Sequence, residues 1–245
     1  MKQIELNKIT KCYKKYRKPY HVFMERAQLI KPVETLTVLD NVSFGVKRGE
    51  SIAIVGSNGA GKTTLLKIIL GITKQTSGNL LVTGDLIAMM VIGIGTHDSF
   101  SGRYNIYLMG AMFGMTKKEI NSKFDDIVSF AGVEEIIDMP IRAYSRGMRV
   151  RLIFSVMMHV KTDGIIIDET LAFSDFPFRK MCVGKLKEQH KNGMTLIVAS
   201  HDLDLVREIS DRVLWIREGC LIEDGPASTV LDKYEHSFDY MTVKE

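Results

Sequence analysis

Eight residues, GSNGAGKT at 56–63, constrain this chain more than any others. They fit G-x-x-x-x-G-K-[ST] at every fixed position, and their flanks matter as much as their letters. Before them, SIAIVG is an apolar run without alternation, as expected of a strand buried on both faces. After them, KTTLLKIILGI carries apolar residues at helical spacing and stops at Gly71. A strand, a glycine-rich turn and a helix in that order predict an anion nest. Gly56, Gly59 and Gly61 let successive backbone N–H groups point inward, with Ser57, Asn58 and Ala60 completing the turn. The helix beginning near Gly61 adds the positive end of its dipole. Lys62 supplies a cation for the outer phosphates of a nucleotide such as ATP, and the Thr63 hydroxyl can ligate Mg2+. Thr64, next in the first helical turn, joins the nucleotide-binding set.

Two further apolar runs end in polar residues. GIIIDE at 164–169 reads as a buried strand with two carboxylates at its C-terminal end, where open α/β sheets bind ligands. Asp168 is placed to hold Mg2+, directly or through water, and Glu169 to polarise an attacking water. TLIVASHD at 195–202 is a third such strand, and His201, directly after it, is read as a γ-phosphate contact. A further strand-like run is NLLVTG at 79–84, which together with these suggests a sheet with crossover helices. The stretch from Ser101 to Val160 is mostly helical by spacing, a helical subdomain inserted in the α/β body. Short strands are expected at 3–9 and 36–46. Between them, Tyr20, Phe23, Met24, Ala27 and Ile30 fall on one helical face that Pro32 ends. That piece is either a surface helix packed on its own domain or a functional insertion.

Bulk properties narrow the class. A chain of 245 residues with net charge +4 is mildly basic, which argues against a nucleic-acid-coating protein. Cys12, Cys182 and Cys220 are dispersed without CxxC spacing, as in reduced cytoplasmic proteins with no zinc site. The N-terminal MKQIELNKIT has no apolar core of a signal peptide, and the greasy run from Leu86 to Gly95 is about half of what a bilayer-spanning helix needs. Membrane association is therefore expected only through a partner.

The last constellation is YSRGMRVRLIFSVMMHV at 144–160, just before the GIIIDE strand. Met148, Leu152, Ile153, Val156, Met157 and Val160 mark a buried helical stripe, and Ser145 is its natural N-cap. With the phosphate loop upstream, the sequence here resembles the ATP-binding-cassette ATPases, whose signature Leu-Ser-Gly-Gly-Gln opens a helix at this place. Ser145 and Gly147 match it; Tyr144, Arg146 and Met148 depart from it. The departures resemble the branch that exports cell-surface polysaccharides: O-antigen, capsule and teichoic acid. GIGTHDSFSGRYNIYLMGAMFGMTKKEI, IDETLAFSD and SDRVLWIREGCLIEDG are similar to segments of that branch, most of all to the ATPase subunit of O-antigen (lipopolysaccharide) exporters.

The resemblance implies an α/β P-loop NTPase fold with a parallel-sheet core, an antiparallel β edge and an inserted helical subdomain at about 96–160. It implies one nucleotide-binding domain over 1–245, with an inserted amphipathic helix at about 17–35 lying near the membrane, and no C-terminal carbohydrate-binding domain, so that the lipid-diphosphate end of the cargo would be recognised. It further implies a homodimer beneath two copies of an integral membrane permease, at the cytoplasmic face of the bacterial inner membrane. The cargo would be an undecaprenyl-diphosphate-linked polysaccharide, and nucleic acid no partner. ATP would lie between one chain's phosphate loop and the other chain's Ser145 and Gly147, with Asp175 matching the aspartate that crosses the dimer. Tyr13 matches the aromatic that stacks on adenine, with Tyr16 as its competitor. Two departures stand out. Val91 falls where a coupling glutamine or glutamate is usual, so coupling rests there on backbone groups or turnover is slow. Arg146 replaces a glycine, and either points away from the nucleotide or adds a charge beside it. Three functions compete. A soluble cassette ATPase of translation or DNA repair usually has two cassettes or a long coiled coil, and this chain is too short for either. A regulatory subunit with little turnover would not need Glu169 and His201. An exporter motor fits both.

Overall fold

The computed structural model describes residues 2–16, 34–89, 95–168 and 176–242, with side chains through 237. The chain divides into two compact units and passes between them four times, once inside the buried strand β3 (Ser51–Val55).

The first unit comprises Met1–Lys47, Ile54–Thr83 and Arg212–Glu245. Its three-stranded antiparallel sheet has the order β2-β1-β4, from β1 (Lys2–Lys15), β2 (Glu34–Lys47) and β4 (Ser77–Val82). The strands expected at 3–9 and 36–46 are each 14 residues long. Only Ile4, Leu6 and Ile9 of β1 turn apolar side chains into the core. Beyond them the sequence is polar, and pairing with β2 is what extends the strand, as far as Lys14 with Thr35 and Lys15 with Glu34. Register shifts after Leu6 and Ile9 let so long a strand bend. The NLLVTG run is corrected too: it forms β4, antiparallel to β1, rather than a strand of the parallel sheet. Also in this unit are α1 (Lys62–Ile69), the antiparallel pair β8 (Arg212–Arg217) and β9 (Cys220–Pro226), and α7 (Ala227–Thr242). The Trp215 and Tyr234 rings meet edge to face at 5.5 Å, joining α7 to β8. The expected amphipathic helix at 17–35 falls on 17–33, outside the described residues, except that Glu34 and Thr35 already belong to β2.

The second unit comprises Arg48–Ala53 and Gly84–Asp211. Here β5 (Leu86–Met89), β6 (Gly164–Asp168) and β7 (Thr195–Ala199) run parallel, Ile87 beside Ile165 and Ile165 beside Leu196. Every residue of β6 and β7 is buried, which explains the unbroken apolar runs. The helical stretch holds α2 (Gly102–Met112), α3 (Lys117–Ala131) and α4 (Arg146–Met158). Thr116 and Glu119 form a capping box at the start of α3, and Gly132, in the left-handed region, ends it. The single stripe expected on α4 is exceeded: Val150 and every residue from Leu152 to Met158 are buried. Phe154 lies 6.4 Å from Phe130 of α3 and 6.0 Å from Phe178 of α5 (Phe176–Lys191), so the helix is covered on more than one side. A helix buried in this way shows no clean period. Ser155, also fully buried, is satisfied by donating from its hydroxyl to the Ile127 carbonyl at 2.6 Å. The short α6 (Leu203–Ile209) follows β7.

Candidate functional site

The phosphate loop lies wholly in the first unit, and close packing on its glycines shapes it. Gly61 has φ 107°, and a Cβ there would come within 2.7 Å of Leu39 Cδ2 and 2.8 Å of the Val38 carbonyl. A Cβ on Gly56 would meet the Ile216 carbonyl of β8 at 2.1 Å. The loop is therefore pressed between β2 and β8 where no side chain fits. Two backbone bonds lock it: Gly219 N–H donates to the Ala60 carbonyl at 3.1 Å, and Asp40 N–H donates to the Gly219 carbonyl at 2.9 Å. Gly59, by contrast, faces open space, and Ser57, Asn58 and Thr63 are exposed, with Thr64 half-buried.

Lys62 is turned into this loop; it is 5% exposed, and its Nζ donates to the Gly56 carbonyl at 2.8 Å and the Ser57 carbonyl at 3.1 Å. An ammonium buried this far gains from an anion brought beside it. The N-terminus of α1, with Gly61 as N-cap and no side-chain cap, points the positive end of its dipole the same way. A backbone cradle, a buried ammonium and an open helix start together fit a polyphosphate. On the same unit, Tyr13 pairs across strands with Leu36 and is 44% exposed, with the Lys11 ammonium 4.7 Å from its ring centre. Tyr16, just past the end of β1, is half-buried. Of the two aromatics, Tyr13 offers the larger free surface to a base.

The second unit carries the other residues. Asp168, 7% exposed, ends β6 in register with Ala199 at the end of β7, so Asp168 and the Ser200–His201–Asp202 turn leave the same sheet edge. Asp202 N–H donates to the buried Ser200 hydroxyl at 3.0 Å. One Asp202 oxygen caps α6 by accepting from Leu205 N–H at 2.9 Å, and the other pairs with Arg179 of α5. These bonds fix the backbone on either side of His201, whose ring stands exposed. Glu169 and Asp175 lie outside the described residues, as does Val91. Thr63 and Asp168 offer the hard oxygen donors that suit Mg2+. Among the described residues no group of three or more His, Cys, Asp and Glu could hold a metal.

Ser145 caps α4: its Oγ accepts from Met148 N–H at 3.2 Å. Ser145 and Arg146 are exposed and Gly147 half-buried, so the helix start faces outward. Tyr144, just before the cap, is buried; its hydroxyl donates to the Ile136 carbonyl at 2.7 Å, and burial pushes the phenol above its ordinary pKa. The side chain that ties down the preceding turn is thus an aromatic anchor.

Reading the sequence missed Asn105. It is fully buried in α2, where its Nδ2 donates toward the His97, Phe100 and Ser101 carbonyls and its Oδ1 accepts from His97 N–H at 2.7 Å. A polar residue at a core position of a helix whose other buried members are Gly102, Ile106, Met109 and Gly110 is the signal that would have found it.

Comparison with known proteins fits this geometry. The family model described as ABC transporter matches residues 39–172. The O-antigen export system ATP-binding protein RfbB of Klebsiella pneumoniae is 39% identical over 210 residues, covering 86% of this chain and 85% of the relative. The teichoic acids export ATP-binding protein TagH of Lactiplantibacillus plantarum is 40% identical over 236 residues, covering 95% of this chain and 64% of the relative. Among solved structures, a dimeric post-hydrolysis state of the ATP-binding cassette MJ0796 bound to ADP and Pi superimposes with a TM-score of 0.74 at 18% identity, over 91% of this chain and 98% of that one. The ATP-binding subunit of an ABC transporter superimposes with a TM-score of 0.77 at 17% identity, over 95% of this chain and 93% of the other. The chain belongs to the ABC transporter family and is one of its ATP-hydrolysing subunits.

Proposed function

We propose that this chain powers the export of a lipid-linked cell-surface polysaccharide, O-antigen in the first place, across the bacterial inner membrane. The observation that carries this reading is the similarity, over most of the chain, to proteins named for O-antigen and teichoic acid export. Teichoic acid or capsular polysaccharide is the second reading, favoured by the identity to TagH. The chain acts as one nucleotide-binding domain over 1–245, with the inserted amphipathic helix of about 17–35 close to the membrane.

In this reading ATP binds with its phosphates in the 56–63 loop, held by backbone N–H groups, Lys62, Ser57, Asn58 and Thr64, and with adenine on Tyr13. Thr63 and Asp168 hold Mg2+, which when bound offsets the phosphate charge. Glu169 orients and deprotonates the attacking water, and His201 steadies the γ-phosphate by hydrogen bonding. Ser145 and Gly147 of a second copy close the site from the other side, and Asp175 crosses the dimer. Arg146, exposed on the first turn of α4, points away from the nucleotide.

The working unit is a homodimer under an integral membrane permease present in two copies, at the cytoplasmic face of the membrane. Among the described residues no helix is long and apolar enough to cross a membrane. Tyr104, Leu108 and Met112, four residues apart on α2, are exposed together, the kind of apolar surface that a protein partner covers. The cargo is an undecaprenyl-diphosphate-linked glycan.

The test is ATPase activity of the chain with its permease, in membranes that hold the lipid-linked glycan. Glu169→Gln should leave ATP binding in place and lower turnover by about 10^2–10^4-fold, as loss of a general base does. Wild-type turnover as low as that of the variant, even with the permease present, would defeat the motor reading.

A further inference from the structure

The sequence sets two arginines beside the cap of α4, and the proposed function leaves Arg149 without a part. Arg149 lies one turn past Ser145, its N–H donating to the Ser145 carbonyl at 3.0 Å. Its guanidinium leaves the helix and donates from Nη1 to Asp98 Oδ1 at 2.9 Å. The Asp98 carbonyl in turn accepts from Arg142 N–H at 3.1 Å. Asp98 therefore grips the chain on both sides of Ser145: three residues before it by backbone and four residues after it by charge.

Asp98 can act as a fixed post because its own loop is immobilised. Three backbone bonds lace the loop to the segment before the cap: Ile141 N–H to Phe100 O at 2.8 Å, Gly102 N–H to Met139 O at 3.1 Å, and Arg103 N–H to Ile137 O at 2.9 Å. From the other side the buried Asn105 amide holds His97, Phe100 and Ser101. Arg149 and Asp98 are 27% and 65% exposed at their side chains, so their pairing adds little to folding. Its value is directional. The dipole of α4 and the Ser145 hydroxyl help a phosphate only when aimed correctly, and small misplacements of such groups are costly to turnover.

We propose that Arg149 is a positioning residue: anchored on Asp98, it sets the direction of the Ser145–Gly147 turn, and so of the half-site offered to the second copy's ATP. This rests on the reading of Ser145 and Gly147 as that half-site. The competing role, in which Arg149 itself touches phosphate, has a different signature, because Asp98 would then compete for the guanidinium rather than support it.

A mutant cycle on the full-length protein separates them, with kcat and KM for ATP, ATP binding and melting temperature read for Asp98→Ala, Arg149→Ala and the double variant. The expected result is a loss of about tenfold in kcat for each single variant and no further loss in the double, since both break one linkage. KM for ATP should stay within about twofold, as the phosphate loop is untouched, and the melting temperature within about 3 °C. The near-isosteric Asp98→Asn should reproduce the loss, which ties it to the charge rather than to packing. Wild-type kcat in Asp98→Ala alongside a loss in Arg149→Ala would overturn the proposal and assign Arg149 to the nucleotide. So would wild-type kcat in both. Failure of the underlying reading shows in the wild type alone, as an ATPase rate per chain that does not rise with protein concentration.

Discussion

The starts of α1 and α4 both present backbone N–H groups, but they are built in opposite ways. At α1 no side chain caps the helix; the loop is shaped by Leu39, Val38 and Ile216 pressing on glycines, and Lys62 is drawn inside. At α4 the cap is complete, since Ser145 already satisfies the Met148 N–H, and the turn stands exposed. The first, proposed as the phosphate site, is a cradle held in shape by the core. The second is a finished helix start, and in the proposed composite site it would reach an anion only by re-using its hydroxyl. Stability and chemistry should therefore separate between them: changes at α1 cost folding, and changes at α4 cost mainly turnover.

The largest effect should come from Gly61→Ala. The added methyl meets Leu39 Cδ2 and the Val38 carbonyl at a backbone angle that suits glycine, so a loss of about 2–4 kcal/mol is expected, read by denaturant unfolding. Gly59→Ala, whose Cβ would enter open space, carries only the backbone cost and should lose about 1 kcal/mol, so the pair separates packing from φ. Equal losses at the two sites would mean that contact with β2 does not shape the loop.

At the other helix start, Ser145→Ala should lower stability by only about 1 kcal/mol, and Ser145→Gly by a few tenths. If the hydroxyl also serves ATP across a dimer, both variants should lose turnover together, by about tenfold, despite their different stabilities. Turnover that follows stability instead would make Ser145 a cap and nothing more.

These regions also differ in how legible they were in the sequence. The phosphate loop is written in one contiguous stretch, because glycines, lysine and flanking strand and helix act within a few residues of one another. Ser145 was legible as a cap for the same reason. What holds each in place was not. Leu39 and Ile216 press on the loop from strands remote in sequence, and Asp98 reaches Arg149 across 51 residues. The length of β1 and the sheet joined by β4 were misjudged alike, since Lys11–Lys15 and the NLLV run show nothing of their partners. The burial of α4 on more than one side hid its period.

The smallest effect concerns the helical stretch around the second start. Hydrogen bonds from Thr116 hold the Glu119 carboxyl below its ordinary pKa, and Arg103 does the same for Asp138. Both groups bind fewer protons folded than unfolded in mild acid. Their stabilisation is thus complete above the unfolded-state pKa values and is lost as pH falls through the lower folded ones. Glu119→Gln and Asp138→Asn should accordingly be slightly less stable than wild type at neutral pH and converge with it in acid, which gives a shallower pH dependence of unfolding across and below the ordinary carboxylate range. The α1 start, which rests on packing and a lysine, should show none of this.

The most direct test mixes two defective chains. Lys62→Ala removes the phosphate-loop cation and keeps Ser145; Ser145→Arg blocks the α4 start and keeps the loop. Each alone should be inactive. Mixed in equal amounts, half of the dimers pair one of each and hold one intact composite site, so ATPase activity should return to about a quarter of wild type. A mixture as inactive as its components, with mixed dimers shown to have formed, would contradict a site shared between the two helix starts of facing copies.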